Sequence, residues 1–355
     1  MSQRIHPQDV MKALSTVKDV RQQKDIVSLG LVKDVEVGDN LVTLTMALPD
    51  PSDQANQRMA ENARQAVQSL GVNEVRLRVT AQHGAAAGGR SDLIPDVKNT
   101  VAVASGKGGV GKSTVAVNLA VALKQMGAKV GLMDTDVYGP SVPILIGSHS
   151  GPSVVEGKLE PPVEHGIKLI SIAYFLPEGE AVIWRGPMLH KTIHQFLGDV
   201  RWGELDYLVI DMPPGTGDIQ LSLSQTIPLT GAVIVSTPQD MALTVASKAI
   251  AMFQKLSVPI LGIVENMSYY TCPHCGARED IFGHGGARAA AGRLQFPFLG
   301  EVPLDVNIRS QSDMGNPVAE DASTSSGKAF RDVAQALLSQ IELTREQTAP
   351  QIVIE

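Results

Sequence analysis

The stretch Gly106-Lys-Gly-Gly-Val-Gly-Lys-Ser113 sets four glycines, two lysines and a hydroxyl side by side. Glycine lets backbone N–H groups turn inward on an anion, and a lysine closing such a loop can reach the outer phosphates of a nucleotide. Lys112 has that place, and the Ser113 hydroxyl falls where a Mg²⁺ ligand belongs. The apolar run Val101–Ser105 before the loop reads as a buried strand. The pattern Ser113–Lys124 after it reads as a helix, whose N-terminus adds partial positive charge. Strand, G-x-x-x-x-G-K-[ST] loop and helix in that order predict nucleotide binding. The contacts are expected from Gly106, Lys107, Gly108, Gly109, Val110, Gly111, Lys112, Ser113 and Thr114.

Ligands of an open parallel sheet bind beyond the carboxyl ends of its strands, and two more strands of this chain end there in carboxylates. Asp211 closes Tyr207–Asp211 and is placed to hold Mg²⁺ directly or through water. The next residues, Met-Pro-Pro-Gly-Thr-Gly-Asp218, contain Gly215. Its N–H is expected at the γ-phosphate, which would make this loop a sensor of that phosphate. Asp134 and Asp136 close the strand that begins at Lys129. Asp136 lies further into the loop and is expected to orient the attacking water. Lys107 is a second cation beside the phosphates, at a position that a generic loop of this kind leaves free. It can point toward a partner's nucleotide, and charge supplied in trans stabilises phosphoryl transfer. The expected catalytic set is Lys107, Lys112 and Asp136.

Cys272 and Cys275, in Thr271-Cys-Pro-His-Cys-Gly276, are the two cysteines of the whole chain. Two thiolates at this spacing can grip one metal ion from a single turn, yet tetrahedral zinc and iron–sulfur sites ask for four ligands. Three arrangements meet that demand or avoid it. His274 or other side chains complete a zinc site, the pair is a redox couple, or two chains each give two thiolates to one site on a dimer axis. A redox C-x-x-C belongs at a strand-to-helix junction of a thioredoxin-like unit, which this is not. The shared site is favoured over local zinc.

These residues need a scaffold, and the chain supplies two kinds. Residues 1–80 read as a small α+β domain. It begins with a helix from Asp9 to Lys18, followed by alternating strands Leu31–Val37 and Asn40–Ala47 about a Gly38-Asp39 turn. A polar helix then runs from Pro49-Asp-Pro-Ser-Asp53 to Leu70, and a strand spans Val72–Val79. Residues 81–98 are small, polar and aperiodic, as in a flexible linker. From residue 99 to 345, near-continuous apolar strands alternate with helix-sized segments. That pattern predicts an α/β domain with a mostly parallel sheet covered by helices on both faces. A last amphipathic stretch runs from Lys328 to Glu342, with fraying expected after Thr344 and a tail over 346–355.

Composition narrows the function classes. Of the 355 residues, 43% are hydrophobic and 19% charged, enough apolar matter for sizeable cores. A net charge of −7 argues against a nucleic-acid partner. No apolar run is long enough to span a bilayer, and the first residues lack the apolar core of a secretory signal, so neither membrane nor export is expected. The expected location is the cytoplasm, where a structural disulfide is disfavoured.

The lysine directly after the first glycine of Gly106–Ser113 resembles the deviant Walker A loop of MinD/ParA/ArsA-type ATPases. Within that group, four features together resemble the Mrp/ApbC family of iron–sulfur cluster carriers. They are Asp134-Thr-Asp-Val-Tyr-Gly-Pro-Ser141, Asp211-Met-Pro-Pro-Gly-Thr-Gly-Asp218, Val264-Glu-Asn-Met-Ser268 and the Cys272/Cys275 pair. The likeness covers about residues 99–340, and residues 9–80 are similar to the small iron–sulfur-assembly domain that often precedes this ATPase. It implies a P-loop ATPase that works as a homodimer, with Lys107 crossing to the partner's nucleotide and Asn266 at the adenine. It further implies a [4Fe–4S] cluster held between paired Cys272 and Cys275, slow ATP hydrolysis, and delivery to apoproteins in company with the cluster-assembly machinery. The N-terminal domain departs from the pattern. Where an acidic Asp-Pro-Glu is usual, this chain reads Lys18-Asp-Val-Arg-Gln-Gln-Lys24, so docking rather than metal binding is expected of it. A MinD- or ParA-like positioning ATPase is one rival, but the acidic tail interrupted by Pro350 is not a basic membrane helix. A zinc-stabilised ATPase with the C-x-x-C as a knuckle is the other.

Overall fold

The computed structural model describes residues 6–19, 24–37, 41–48, 54–72, 74–81, 93–176, 186–241, 243–272 and 274–348. The chain divides into two compact units, residues 1–88 and 89–355. The Gly38-Asp39 turn, the Pro49–Asp53 breaker, most of the 81–98 linker and residues 349–355 lie outside the described residues.

The small unit runs α1 (Pro7–Leu14), β1 (Val32–Val37), β2 (Leu41–Leu48), α2 (Gln54–Gln68), β3 (Glu74–Ala81). β2 is central, antiparallel to β1 and parallel to β3. Alternation along β2 sends Val42, Leu44, Met46 and Leu48 into a core with Val10 and Leu14 of α1 and Ala63 and Val67 of α2. α1 ends at Leu14, earlier than the expected Lys18. The Ser15 and Thr16 hydroxyls donate to the carbonyls of Lys12 and Ala13 at 2.7 Å each, closing the last turn, and the chain leaves into a bridge between Lys18 and Asp25.

In the large unit, β4 (Thr100–Ser105) leads through the glycine loop to α3 (Lys112–Gln125). Then follow β5 (Val130–Asp134), α4 (Val142–Ile146), a short hairpin of β6 (Ser153–Val155) and β7 (Lys158–Glu160), β8 (Val163–Glu164) and β9 (Ile167–Ser171). Next are α5 (Gly186–Gly198), β10 (Tyr207–Asp211), α6 (Asp218–Thr226), β11 (Gly231–Ser236), α7 (Leu243–Lys255) and β12 (Ile260–Glu265). A ribbon of β13 (Tyr270–Thr271) and β14 (Arg278–Glu279) precedes α8 (Gly286–Leu294), β15 (Phe298–Glu301), α9 (Val306–Asp313) and α10 (Ser325–Thr348). The main sheet has the order β15-β12-β11-β4-β10-β5-β9-β8, parallel throughout except for the β8–β9 edge.

Strand alternation divides the interior into two layers. Ala102, Ala104, Leu208, Ile210, Ala232 and Ile234 face one side, with Ile193 and Phe196 of α5, Leu223 of α6 and Phe253 of α7. Val101, Val103, Val209, Val233 and Val235 face the other, with α3 and with Phe330, Val333 and Leu337 of α10. Each phenyl ring so buried is worth about 1.5–3 kcal/mol. α3 is buried along Val115–Leu123, which fixes the helix behind the phosphate loop as part of the core. α10 runs to Thr348, beyond the expected fraying point. Its last turns are held by Thr344 Oγ1 donating to Gln340 O at 2.7 Å and by Arg345 donating to Asn99 Oδ1 at 3.0 Å.

Candidate nucleotide site and cysteine ribbon

The carboxyl ends of β4, β5 and β10 open on a cleft of about 380 Å³. It is lined by the glycine loop with Lys107, Lys112, Ser113 and Thr114, by Asp136 and Tyr138 after β5, and by Pro214 after β10. Lys112 is buried and its ammonium donates to Asp211 Oδ1 at 2.5 Å, while Asp136 Oδ2 stands 3.5 Å away. Ser113 Oγ donates to Asp211 Oδ2 at 2.6 Å, so a lysine and a serine of the loop share one strand-end carboxylate.

Two carboxyls thus meet one ammonium, and a third, Asp134, feels its charge. Burial pushes the Asp211 carboxyl above the usual range, opposed by the charge and hydrogen bond of Lys112. Asp134, with no exposed surface, is pushed up to about 7 by burial and then by the charge of Asp211, against the Ser171 hydroxyl that donates to it at 2.8 Å. The two aspartates of the Asp-Thr-Asp loop have different surroundings. Asp134 accepts from the Asp136 N–H at 3.1 Å and the Val142 N–H at 3.4 Å and so shapes the loop. Asp136 fixes the Tyr138 N–H at 3.1 Å through one oxygen and turns the other into the cleft. The Ser113 hydroxyl and the Asp211 carboxylate are hard oxygen donors brought together beside the loop, a pair that fits a small divalent cation.

Three expected contacts have further partners here. The Gly215 N–H donates to Ser105 O at 2.9 Å. Val110 places its side chain in the core, and its carbonyl accepts from Asn266 Nδ2 at 2.8 Å. Asn266, buried at the end of β12, therefore touches the phosphate loop directly. Gly111 and Gly215 adopt φ of +77° and +94°, backbone that L side chains rarely take.

Cys272 and Cys275 lie apart from the cleft lining, in the turn of the β13–β14 ribbon. The Cys275 thiol is exposed and the Cys272 thiol half-buried. The ribbon turn is closed by Gly276 N–H to Cys272 O at 2.8 Å and Cys272 N–H to Ala277 O at 2.9 Å. The N–H groups of His274 and Cys275, and then the Cys275 thiol, hold the Cys272 thiol below its ordinary range, as a metal-binding or nucleophilic thiol requires. Among the described residues, no group of three or more His, Cys, Asp or Glu is placed to hold a metal ion.

Residues 96–338 match the family of NUBPL iron-transfer P-loop NTPases. The chain belongs to that family. Residues 7–77 of this iron-transfer NTPase match a second family, iron–sulfur cluster assembly protein. An iron–sulfur cluster carrier protein of Deinococcus radiodurans is 46% identical over 346 residues, covering 96% of this chain and 97% of that one. The carrier protein of Escherichia coli is 49% identical over 251 residues, 70% of this chain and 68% of that one. Among solved structures, a nucleotide-binding protein of Archaeoglobus fulgidus in complex with ADP is similar with a TM-score of 0.60 and 42% identity, covering 68% of this chain and 94% of that one. The cell division ATPase MinD of Pyrococcus furiosus shares the fold at a TM-score of 0.52 and 24% identity, over 68% of this chain and 99% of that one.

The cleft of this NTPase also takes in Pro214, which lies in the Met-Pro-Pro-Gly stretch after Asp211, and Leu145, for which the sequence offers no signal. Ser171 had one. It ends the apolar strand β9, at the same edge of the sheet as Asp134 and Asp211. Among the described residues, no helix is long and apolar enough to cross a membrane.

Proposed function

We propose that this chain is an ATP-hydrolysing carrier that holds a [4Fe–4S] cluster between two copies of itself and delivers it to apoproteins. The single observation that carries the reading is the cysteine arithmetic. A four-thiolate site needs twice what one chain has, and the two thiols sit on one ribbon turn whose backbone N–H groups favour the thiolate of Cys272. The chain's membership of an iron-transfer family and the names of its relatives support the same cargo.

In the nucleotide cleft, Lys112 would exchange its bond to Asp211 for the β- and γ-phosphates. Ser113 and Asp211 would then hold Mg²⁺. When bound, Mg²⁺ supplies positive charge against the phosphate oxygens. Asp136 orients a water on the γ-phosphorus and receives its proton as the new P–O bond forms and ADP leaves. Lys107, exposed at the mouth of the cleft, would serve the nucleotide of the partner copy. Asn266 would meet the adenine. A reducing cytoplasm keeps both thiols available for the cluster.

Anaerobic reconstitution tests the reading. The expected product is a dimer with about four irons and a visible absorbance band that is lost in Cys275→Ala. Stoichiometric zinc in freshly purified protein with no cluster uptake would overturn it.

A further inference from the structure

We infer that Glu265 is the positioning residue that transmits the state of the nucleotide cleft to the cysteine ribbon, an inference that rests on the carrier reading above. Glu265 ends β12 and has no exposed surface. Oε1 accepts from Ser268 Oγ at 2.6 Å, and Oε2 accepts from the Ala287 N–H at 2.6 Å. Burying a carboxyl is costly unless its oxygens are answered, and here both are, by groups on two different elements. Ala287 is the second residue of α8, whose cap position is Gly285 and has no side chain to offer. A serine or aspartate at that position would cap the helix locally. This helix instead takes its acceptor from the neighbouring strand, which ties the two elements together.

The residues around Glu265 form a continuous path. Asn266 next to it holds the Val110 carbonyl of the phosphate loop at 2.8 Å, and its own N–H is held by Ser236 O at 2.8 Å. Met267 follows at φ +55°, a left-handed kink that lets Glu265 and Ser268 meet. The Ser268 N–H donates to Val302 O at 2.9 Å, and Tyr269 O accepts from Leu304 N–H at 2.7 Å. Tyr270 then opens the ribbon and Cys272 lies two residues beyond. A kink of this kind would ordinarily absorb a movement. The bond between Glu265 and Ser268 closes it into a rigid unit. A shift of Val110 on phosphate binding is thus passed through Asn266 to the ribbon. On the outer side, Glu301 of β15 receives Arg288 of α8 at 3.3 Å and Arg278 of the ribbon at 3.5 Å, a more solvent-screened tie between α8 and the ribbon.

The test compares full-length wild type with Ser268→Ala, Ser268→Thr and Glu265→Gln after anaerobic loading. The readout is the rate at which an iron chelator removes the cluster, with and without ATP. Coupling between two sites commonly amounts to about 5- to 150-fold. The wild-type ratio is expected in that range. It should fall close to one in Ser268→Ala and Glu265→Gln while both variants still bind ATP and still take up the cluster, and it should recover in Ser268→Thr. If Glu265→Gln does not fold, Ser268→Ala, which leaves the bond to Ala287 intact, carries the test. A wild-type ratio retained in Ser268→Ala overturns the inference and leaves the carrier reading standing, as does a loaded wild type indifferent to ATP. Joint loss of ATP and cluster binding in Ser268→Ala overturns it in favour of a structural role. A wild type that takes up no cluster overturns the carrier reading itself, and the inference with it.

Discussion

The N–H of Gly215 donates to the carbonyl of Ser105, 2.9 Å across the gap between the loop after β10 and the last residue of β4. The group expected to meet the γ-phosphate therefore already has a backbone partner, and a phosphate contact requires that bond to be exchanged. A β-carbon at Gly215 meets nothing within 4 Å, so Gly215→Ala has only its φ of +94° to contend with. The left-handed conformation costs an alanine about 1–2 kcal/mol. The expected result is a small drop in melting temperature with ATP affinity retained, measured by thermal denaturation and nucleotide titration.

Gly111 should behave differently. Its φ is +77°, and an added β-carbon would also run into Asn266 Nδ2. Gly111→Ala is expected to destabilise more than Gly215→Ala and to lose nucleotide binding. Asn266→Ala in the same chain should restore part of the stability by removing the collision. Equal melting temperatures for Gly111→Ala and the double variant would refute this account.

Lys112→Ala removes the ammonium from between Asp211 and Asp136. Breaking a buried ion pair by deleting one partner costs about 3–5 kcal/mol, because a charge is left uncompensated. ATP binding should disappear, and the nucleotide-free protein should melt well below wild type. A melting temperature equal to wild type would show that the carboxyls do not depend on Lys112.

The stability of the nucleotide-free, metal-free protein should fall as the pH rises toward neutrality. The Asp134 carboxyl sits at about 7 in the fold against an ordinary 3.8, so the folded chain holds a proton that the unfolded chain releases. This contribution is complete below about pH 3.8 and is lost as the pH rises through about 7. Melting curves taken between pH 5 and 8 in the presence of EDTA should show the decline, to which about one proton contributes. Asp134→Asn should flatten it.

Asp136→Ala separates binding from turnover. Its carboxyl faces the cleft, whereas Asp134 holds the loop, so the variant should bind ATP but hydrolyse it at least about 100-fold more slowly. Failure to bind would assign Asp136 to nucleotide or metal binding instead of water orientation.

What could be read ahead from the chain differs between its parts for physical reasons. Strands such as Tyr207–Asp211 and Gly231–Ser236 are buried on both faces, so their apolar runs and the helices between them announced a covered parallel sheet. Lys107, Lys112, Ser113 and Asp136 were marked by spacing, and the fold gathers them around one cleft. The β6–β7 hairpin and the β13–β14 ribbon leave no mark in the sequence, because strands of two or three residues are too short to show a period. The early end of α1 depends on the hydroxyls of Ser15 and Thr16, which helical spacing does not register. Glu265 was visible only as part of a motif. Its partner Ala287 lies on another element, and that contact exists only once the sheet has formed.

The central place of β4 has a consequence for the order in which the protein matures. Its sheet neighbours, β10 and β11, lie on the order of a hundred residues further along, and the domain is made from the N-terminus at about 5–20 residues per second. For several seconds of synthesis the glycine loop has no flanking strands to hold it open, and long-range parallel pairing is slow in itself. The cysteines are translated only shortly after β11 and β12. The strands that flank the pocket and the two thiols thus emerge in one late stretch of translation.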